Sequence, residues 1–177
     1  MEPLATSNQE LTKEVAVMVL GDMLKDFQLF EGLEAGELAE VTRLCRERSY
    51  EEGSVILTAG GSAEDVYLLK DGKVDIQVEL VIYDLEARAT VYTVRKGETF
   101  AWSALVPPHK LTASARAGQK SQVVTINGKE LMNLLEKNTH MGYVVMQNLS
   151  KVISSRLAAT MIALRHQIQK MSAGGET

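Results

Sequence analysis

The chain has one cysteine, three prolines and one tryptophan among 177 residues, and only 5% of it is aromatic. A single thiol, Cys45, cannot close an internal disulfide, which excludes a cross-linked secreted scaffold and leads us to expect a reducing, cytoplasmic setting. No apolar run approaches the ~20 residues needed to span a bilayer, and no basic stretch followed by an apolar core opens the chain, so neither membrane insertion nor a leader is expected. With 19 basic against 23 acidic residues the formal net charge is -4. No basic face stands out to neutralise phosphates, so direct nucleic-acid binding is not expected. His109, His140 and His166 fall in a proline loop, a helix junction and the C-terminal helix, which argues against converging metal ligands. The patterns H-x-H, G-x-S-x-G and G-x-x-x-x-G-K-S/T are all missing. No nucleophile and base can be paired, and catalysis is not indicated.

What is present reads as one domain with flanking helices. The stretch SNQELTKEVAVMVLGDMLKDFQLF opens with a capping box, Ser7 and Glu10, and sets Leu11, Val15, Met18 and Val19 on one helical face. LEAGELAEVTRLCRE repeats Leu38, Val41 and Leu44 at a spacing of three, which predicts a second helix with Cys45 as a small core residue. From Tyr50 to Ile126 the pattern turns to short β-rich runs parted by glycine: SVILT, DVYLLK, KVDIQVELVIY, ARATVYTV, KLTASARA and SQVVTI. In KVDIQVEL the apolar Val74, Ile76, Val78 and Leu80 alternate with polar neighbours, the period of a strand with one buried face. Roughly seven or eight strands at intervals of about ten residues predict an antiparallel sandwich or jelly roll. Asp71-Gly72 predicts a two-residue hairpin between DVYLLK and KVDIQVEL.

Asn127, with Glu130 three residues on, predicts an N-cap for the helix ELMNLLEKN. The long run GYVVMQNLSKVISSRLAATMIALRHQIQKM has neither proline nor internal glycine. On a heptad frame Leu157, Leu164 and Met171 occupy one core position, Ile153 and Thr160 the other, and Met161 and Ile168 flank them. Its first two turns are expected to pack on the chain's own β-structure. Beyond Arg156 too little chain remains to cover the stripe, so a parallel contact between two identical subunits is expected through Ile153, Leu157, Thr160, Met161, Leu164 and Ile168. Only the tail SAGGET follows, without a helix-turn-helix.

The order of elements and the glycine positions together resemble a known family. FQLFEGLEAGELAEVTRLCRERSYEEGSVILTAGGSAEDVYLLKDGKVDI carries Gly53, Gly61, Tyr67 and Gly72 at its spacing. VRKGETFAWSAL, TASARA and INGKELMNLLEKN continue the match over about residues 27 to 158. The sequence is similar to the cyclic nucleotide-binding domain, the sensor fold of catabolite-activator-type regulators, protein kinase A regulatory subunits and cyclic-nucleotide-gated channels. The resemblance implies a mainly β fold: a double-stranded β-helix or jelly roll with N-terminal helices and a long C-terminal helix. It suggests a helical extension over 1–26, a β-roll over 27–142, a dimerisation helix over 143–172 and a flexible tail over 173–177.

It also implies a ligand site at the phosphate-binding cassette, comprising Gly97, Phe100, Ala101, Trp102, Ser103, Ala104, Lys110, Leu111, Thr112, Ala113 and Ser114. In the family, a glycine and a short helix aim backbone N–H groups at the cyclic phosphate. A glutamate takes the ribose hydroxyl and an arginine bonds the phosphate. Here Ala101 stands where the glycine belongs, Trp102 where the glutamate belongs and Leu111 where the arginine belongs. Losing two charge-assisted bonds should weaken binding by a factor on the order of a hundred to ten thousand. Trp102 has three readings: a plug of plain core, a stacking surface for another planar ligand, or a contact with the dimer helix. Lys110 is a solvated loop lysine or a substitute cation; Arg116 is an outward surface arginine or a second candidate cation. The implied ligand is a cyclic nucleotide or another small anion. The expected function is a ligand-sensing regulatory module, not an enzyme, with a degenerate cassette and weak or no binding of cyclic AMP. The alternatives are a constitutive dimerisation scaffold with a filled pocket, and the sensor half of a Crp/Fnr-type transcription regulator that does bind a cyclic nucleotide.

Overall fold

In the computed structural model, which describes residues 19–82 and 85–173, strand β3 (Asp65–Asp71) is covered on both faces. Val66 and Leu68 join an apolar cluster beneath the helices, while Tyr67 and Leu69 face a second cluster between two sheets. Successive strand side chains point to opposite faces, so VYLL is continuously apolar because neither face meets water. β8 (Ser121–Asn127) repeats the arrangement, with Val124 and Ile126 beneath the helices and Val123 inside the roll.

The remaining strands are β1 (Cys45–Tyr50), β2 (Val55–Leu57), β4 (Val74–Ile82), β5 (Leu85–Val94), β6 (Thr99–Phe100) and β7 (Ser114–Ala117). They form two four-stranded antiparallel sheets, ordered β1-β8-β3-β6 and β2-β7-β4-β5. This is the expected mainly β jelly roll.

Three local expectations need correction. The helix expected over LEAGELAEVTRLCRE spans only Ala35–Thr42. Cys45 opens β1, whose polar residues pair along β8 from Cys45 opposite Ile126 to Tyr50 opposite Ser121. CRERSY lacks the alternation that marks a strand, and only the partner ladder makes it one. Cys45 still packs half-buried against the core, its Sγ 3.5 Å from the Val41 carbonyl oxygen. Burial, with Glu47 nearby, pushes its thiol up to about 12.

Asp71-Gly72 makes no hairpin. β3 pairs with β8 and β6, and β4 with β5 and β7, so this turn carries the chain from one sheet to the other. Glycine is required there all the same: Gly72 has φ 101°, and a Cβ would lie 2.5 Å from the Lys120 carbonyl oxygen.

The capping box Ser7–Glu10 and the face Leu11, Val15 and Met18 lie outside the described residues. Val19, assigned to that face, is 65% exposed. Leu24, Phe27, Leu29 and Phe30 anchor the N-terminal segment in the core instead.

Asn127 caps the helix Gly128–Lys137, its Oδ1 accepting from the backbone N–H groups of Lys129 and Glu130 at 3.2 Å each. The C-terminal helix runs from Thr139 to Ala173. Met141, Val145, Leu149 and Val152 are buried on its inner face. Buried Asn148 pins this part of the helix, donating through Nδ2 to the Glu31 carbonyl at 2.7 Å. Farther on, the stripe emerges: Leu157 is 63% exposed and Leu164 53%. The expected division between a docked first part and an uncovered distal part is what the helix shows.

Candidate functional site

The cassette begins at a tight turn. Gly97, at φ 84°, donates its N–H to the Leu69 carbonyl at 2.9 Å and so fastens the turn to β3. Phe100, at the end of β6, is buried against Tyr67, with ring centroids 5.0 Å apart. Ala101 then takes the left-handed conformation, φ 56° and ψ 32°, and a 3-10 turn spans Trp102–Ala104. A β-carbon in that region costs about 1–2 kcal/mol, and glycine would be free of it. The sharp reversal sets Trp102 in the wall of a cavity while Ala104 packs beneath. A Cβ on Gly128 would come 2.5 Å from the Ala104 carbonyl oxygen, so glycine lets the 3-10 turn rest directly on the start of helix Gly128–Lys137.

The cavity measures about 430 Å³ and lies between the β2-β7-β4-β5 sheet, the 3-10 turn and the C-terminal helix. That is ample for a small organic molecule. Of the residues expected from the cassette, Phe100, Ala101, Trp102, Ser103, Leu111, Thr112 and Ala113 line it. Gly97, Ala104, Lys110 and Ser114 do not. Gly97 and Ala104 hold the backbone in place, Lys110 is exposed and bridged to Ser62, and the Ser114 hydroxyl accepts from the Ala59 N–H at 3.0 Å. Arg116 also points away from the cavity. On β7 the period of two turns Ala115 and Ala117 inward, and Arg116 donates to the Gly53 carbonyl.

Three residues assigned to a dimer seam, Ile153, Leu157 and Thr160, line the same cavity. The helix thus closes one side of the site, while Met161 and Leu164 remain on the open stripe. The Ile168 side chain is outside those described.

Sequence reasoning missed seven lining residues: the apolar Leu57, Ile76, Val78, Val91 and Ala115 of the sheet, and two with polar chemistry, Tyr92 and Arg156. Arg156, between Ile153 and Leu157 on the helix, also lines the cavity. Its guanidinium carbon lies 3.2 Å from the centroid of the Tyr92 ring and 5.4 Å from that of Trp102. Its Nη2 donates to the Thr99 carbonyl at 3.2 Å, and its Nη1 is buried without a hydrogen-bond partner. Burial pulls the guanidinium below its ordinary value, offset in part by Tyr92 and Glu98. Tyr92 is raised by burial first and then by the hydrogen bond from its hydroxyl to Glu98 Oε1 at 2.7 Å. The available signal was a lone arginine inside an apolar heptad stripe. Nothing local marks Tyr92, because β5 reveals which of its faces is inward only once paired with β4.

A left-handed cassette turn, a β-roll cavity behind it and a helix closing that cavity form one arrangement. A family model described as the cyclic nucleotide-binding domain matches residues 47–138. The chain belongs to the cyclic nucleotide-binding domain family. Its described residues form this one domain, with no DNA-binding unit among them.

A Geobacter metallireducens structure described as a cyclic nucleotide-binding protein is 30% identical, with a TM-score of 0.65 over 77% of this chain and 97% of that one. The regulatory domain of Toxoplasma gondii protein kinase A, solved with cyclic AMP, shares the fold at 20% identity and a TM-score of 0.67, covering 80% of this chain and 51% of the other. Glutaminase 1 of Bradyrhizobium diazoefficiens is 28% identical over 134 residues, 76% of this chain and 21% of that protein. This cyclic nucleotide-binding domain spans less than a third of the length of the curated relatives it matches. No helix among the described residues is long and apolar enough to cross a membrane, and no cluster of potential metal ligands occurs among them.

Proposed function

We propose that the chain is a ligand-sensing regulatory module, not an enzyme, whose cassette has exchanged its acid and base clamps for apolar side chains and binds cyclic AMP weakly or not at all. The observation that carries this reading is the presence of Trp102 and Leu111 on the cavity wall, at the two positions where the family pattern has glutamate and arginine. A cyclic phosphate needs a hydrogen-bonded countercharge once it leaves water. An indole and an isobutyl group offer none.

The module works as a cytoplasmic homodimer, joined through the outer stripe of the C-terminal helix. Met161 and Leu164, 49% and 53% exposed, fit the seam of a two-helix contact. The β-roll over 27–142 senses and the helix over 143–172 transmits. Ligand in the cavity changes how Ile153, Leu157 and Thr160 pack, and so biases the helix between two arrangements. A pocket plugged for purely structural use fits less well, because about 430 Å³ stays open beside Trp102.

Calorimetric titration of the full chain with cyclic AMP and cyclic GMP tests the reading. The expected result is no heat, or a dissociation constant far above the micromolar range. Submicromolar binding of either nucleotide would overturn it.

A further inference from the structure

A guanidinium is costly to take out of water, and a chain that buries one normally meets it with a carboxylate. Arg156 has no such partner: no carboxylate lies within ion-pair distance among the described residues. Its near neighbour Glu98 is already engaged, accepting from the Tyr92 hydroxyl through Oε1 and from the Arg95 N–H through Oε2 at 2.8 Å. What Arg156 has is the face of Tyr92, one backbone carbonyl and an Nη1 with no acceptor. The rest of the cavity wall is mainly hydrocarbon and indole, with only the hydroxyls of Ser103, Thr112 and Thr160 between. The site is an apolar pocket with one cation in its wall, and among the described residues no carboxylate is ion-paired to that cation.

The placement of that charge decides what chemistry fits. Arg156 stands on the C-terminal helix, and the cassette loop that carries Leu111 has no charge on the cavity. A sugar-phosphate ring seated against the cassette would meet no charged side chain there, only apolar groups and the hydroxyls of Ser103 and Thr112. A flat apolar body would instead lie against Trp102, 5.4 Å from the guanidinium, with its anionic group at the helix.

We propose that Arg156 is the anion-reading residue of this cavity, and that the cavity takes a small aromatic monoanion with its ring against Trp102 and its carboxylate or sulfonate on Arg156. The proposal rests on the reading of the cavity as a ligand site. It also supplies the coupling, because an anion would compete with the Tyr92 face and the Thr99 carbonyl for the guanidinium. Arg156 directly precedes Leu157, where the helix stripe leaves the roll. Drawing the guanidinium inward therefore acts on the helix at the point where its docked part becomes its open part.

The test uses two probes of similar shape, 1-anilinonaphthalene-8-sulfonate and the uncharged N-phenyl-1-naphthylamine. Trp102, the single tryptophan, reports occupancy of the cavity by quenching and by energy transfer to the probe. Both are titrated into full-length wild type and into Arg156→Met and Arg156→Lys. The methionine variant should lower the ratio of sulfonate to neutral-probe affinity at least about tenfold, as expected for one charge-assisted hydrogen bond, with the neutral probe changed less than about twofold. Lysine keeps the charge and should retain most of the ratio. Arg156→Gln, which preserves a donor for the Thr99 carbonyl, gives the same measurement should the methionine variant lose its fold. An unchanged ratio overturns the role of Arg156 while leaving the cavity a ligand site. Failure of both probes to quench wild-type Trp102 overturns the ligand site as well.

Discussion

Arg156 sets its guanidinium carbon over the Tyr92 ring, 3.2 Å from the centroid, and joins the C-terminal helix to β5. A cation–π pair between two half-buried side chains contributes about 0.5–2 kcal/mol. In a double-mutant cycle of Tyr92→Leu and Arg156→Met, the coupling measured by urea unfolding should be about 1 kcal/mol or more. Tyr92→Phe keeps the ring, loses the hydrogen bond to Glu98, and should retain most of that coupling. Zero coupling would show that the stacking carries no energy.

Ala101→Gly should stabilise the fold. The left-handed backbone costs alanine about 1–2 kcal/mol, and the added chain entropy of glycine returns about 0.5–1 kcal/mol of that gain. The net expectation is a rise of about 0.5–1 kcal/mol, visible as a higher melting temperature. A fall would mean that the Ala101 methyl makes contacts worth more than its strain.

Trp102→Glu combined with Leu111→Arg should create affinity for cyclic AMP. Two charge-assisted hydrogen bonds together predict a gain of roughly a hundredfold or more over wild type, by calorimetry. Each single change should give a small part of it. Because Leu111 is only 8% exposed, the unliganded double variant should melt lower and recover as nucleotide is added. No recovery would argue that the cassette backbone, and not these two side chains, blocks the nucleotide.

Leu164→Asp should leave the roll intact and abolish self-association. Leu164 lies on the open stripe and does not line the cavity. Light scattering should report twice the chain mass for wild type, and a single chain for the variant and for a chain stopped after Arg156. Wild type running as a monomer would refute the helix seam.

The Glu37–His140 pair, 2.9 Å apart, ties helix Ala35–Thr42 to the start of the C-terminal helix and sets a pH window. The hydrogen bond and charge of Glu37 raise His140 above 6.5. Burial raises the Glu37 carboxyl, but its bonds to His140 and to the Glu34 backbone, with the His140 charge, carry it below 4.5. The His140 contribution is therefore complete below pH 6.5 and lost as pH rises through its raised value. At the acid end, the Glu37 contribution is lost as pH falls through its lowered value. The melting-temperature difference between wild type and His140→Gln should be largest between those limits and vanish on the alkaline side. A difference that does not vary with pH would contradict the linkage.

Much of this architecture is written locally. The alternation of KVDIQVEL, the cap at Asn127 and the apolar first turns of the long helix each follow from a short-range rule, and each element forms where its rule puts it. β1 escaped because its outward polar residues owe their conformation to β8, whose paired residues lie 71 to 81 positions away in the chain. Asp71-Gly72 misled for a related reason: a glycine turn fixes the local backbone but not which partner the next strand finds. At the site, the cassette residues were legible because they are contiguous. Arg156 and Tyr92 were not, since only the docking of the helix on the sheet brings positions 92, 102 and 156 together.

Strand β3, enclosed on one side by the helices and on the other by the opposing sheet, has no face from which it can be peeled away. Its backbone amides can reach water only when the whole molecule opens, so their deuterium exchange is a clock for global unfolding. The bare far end of the helix keeps a different, faster clock. A contact that slows the second without touching the first has gripped the helix alone.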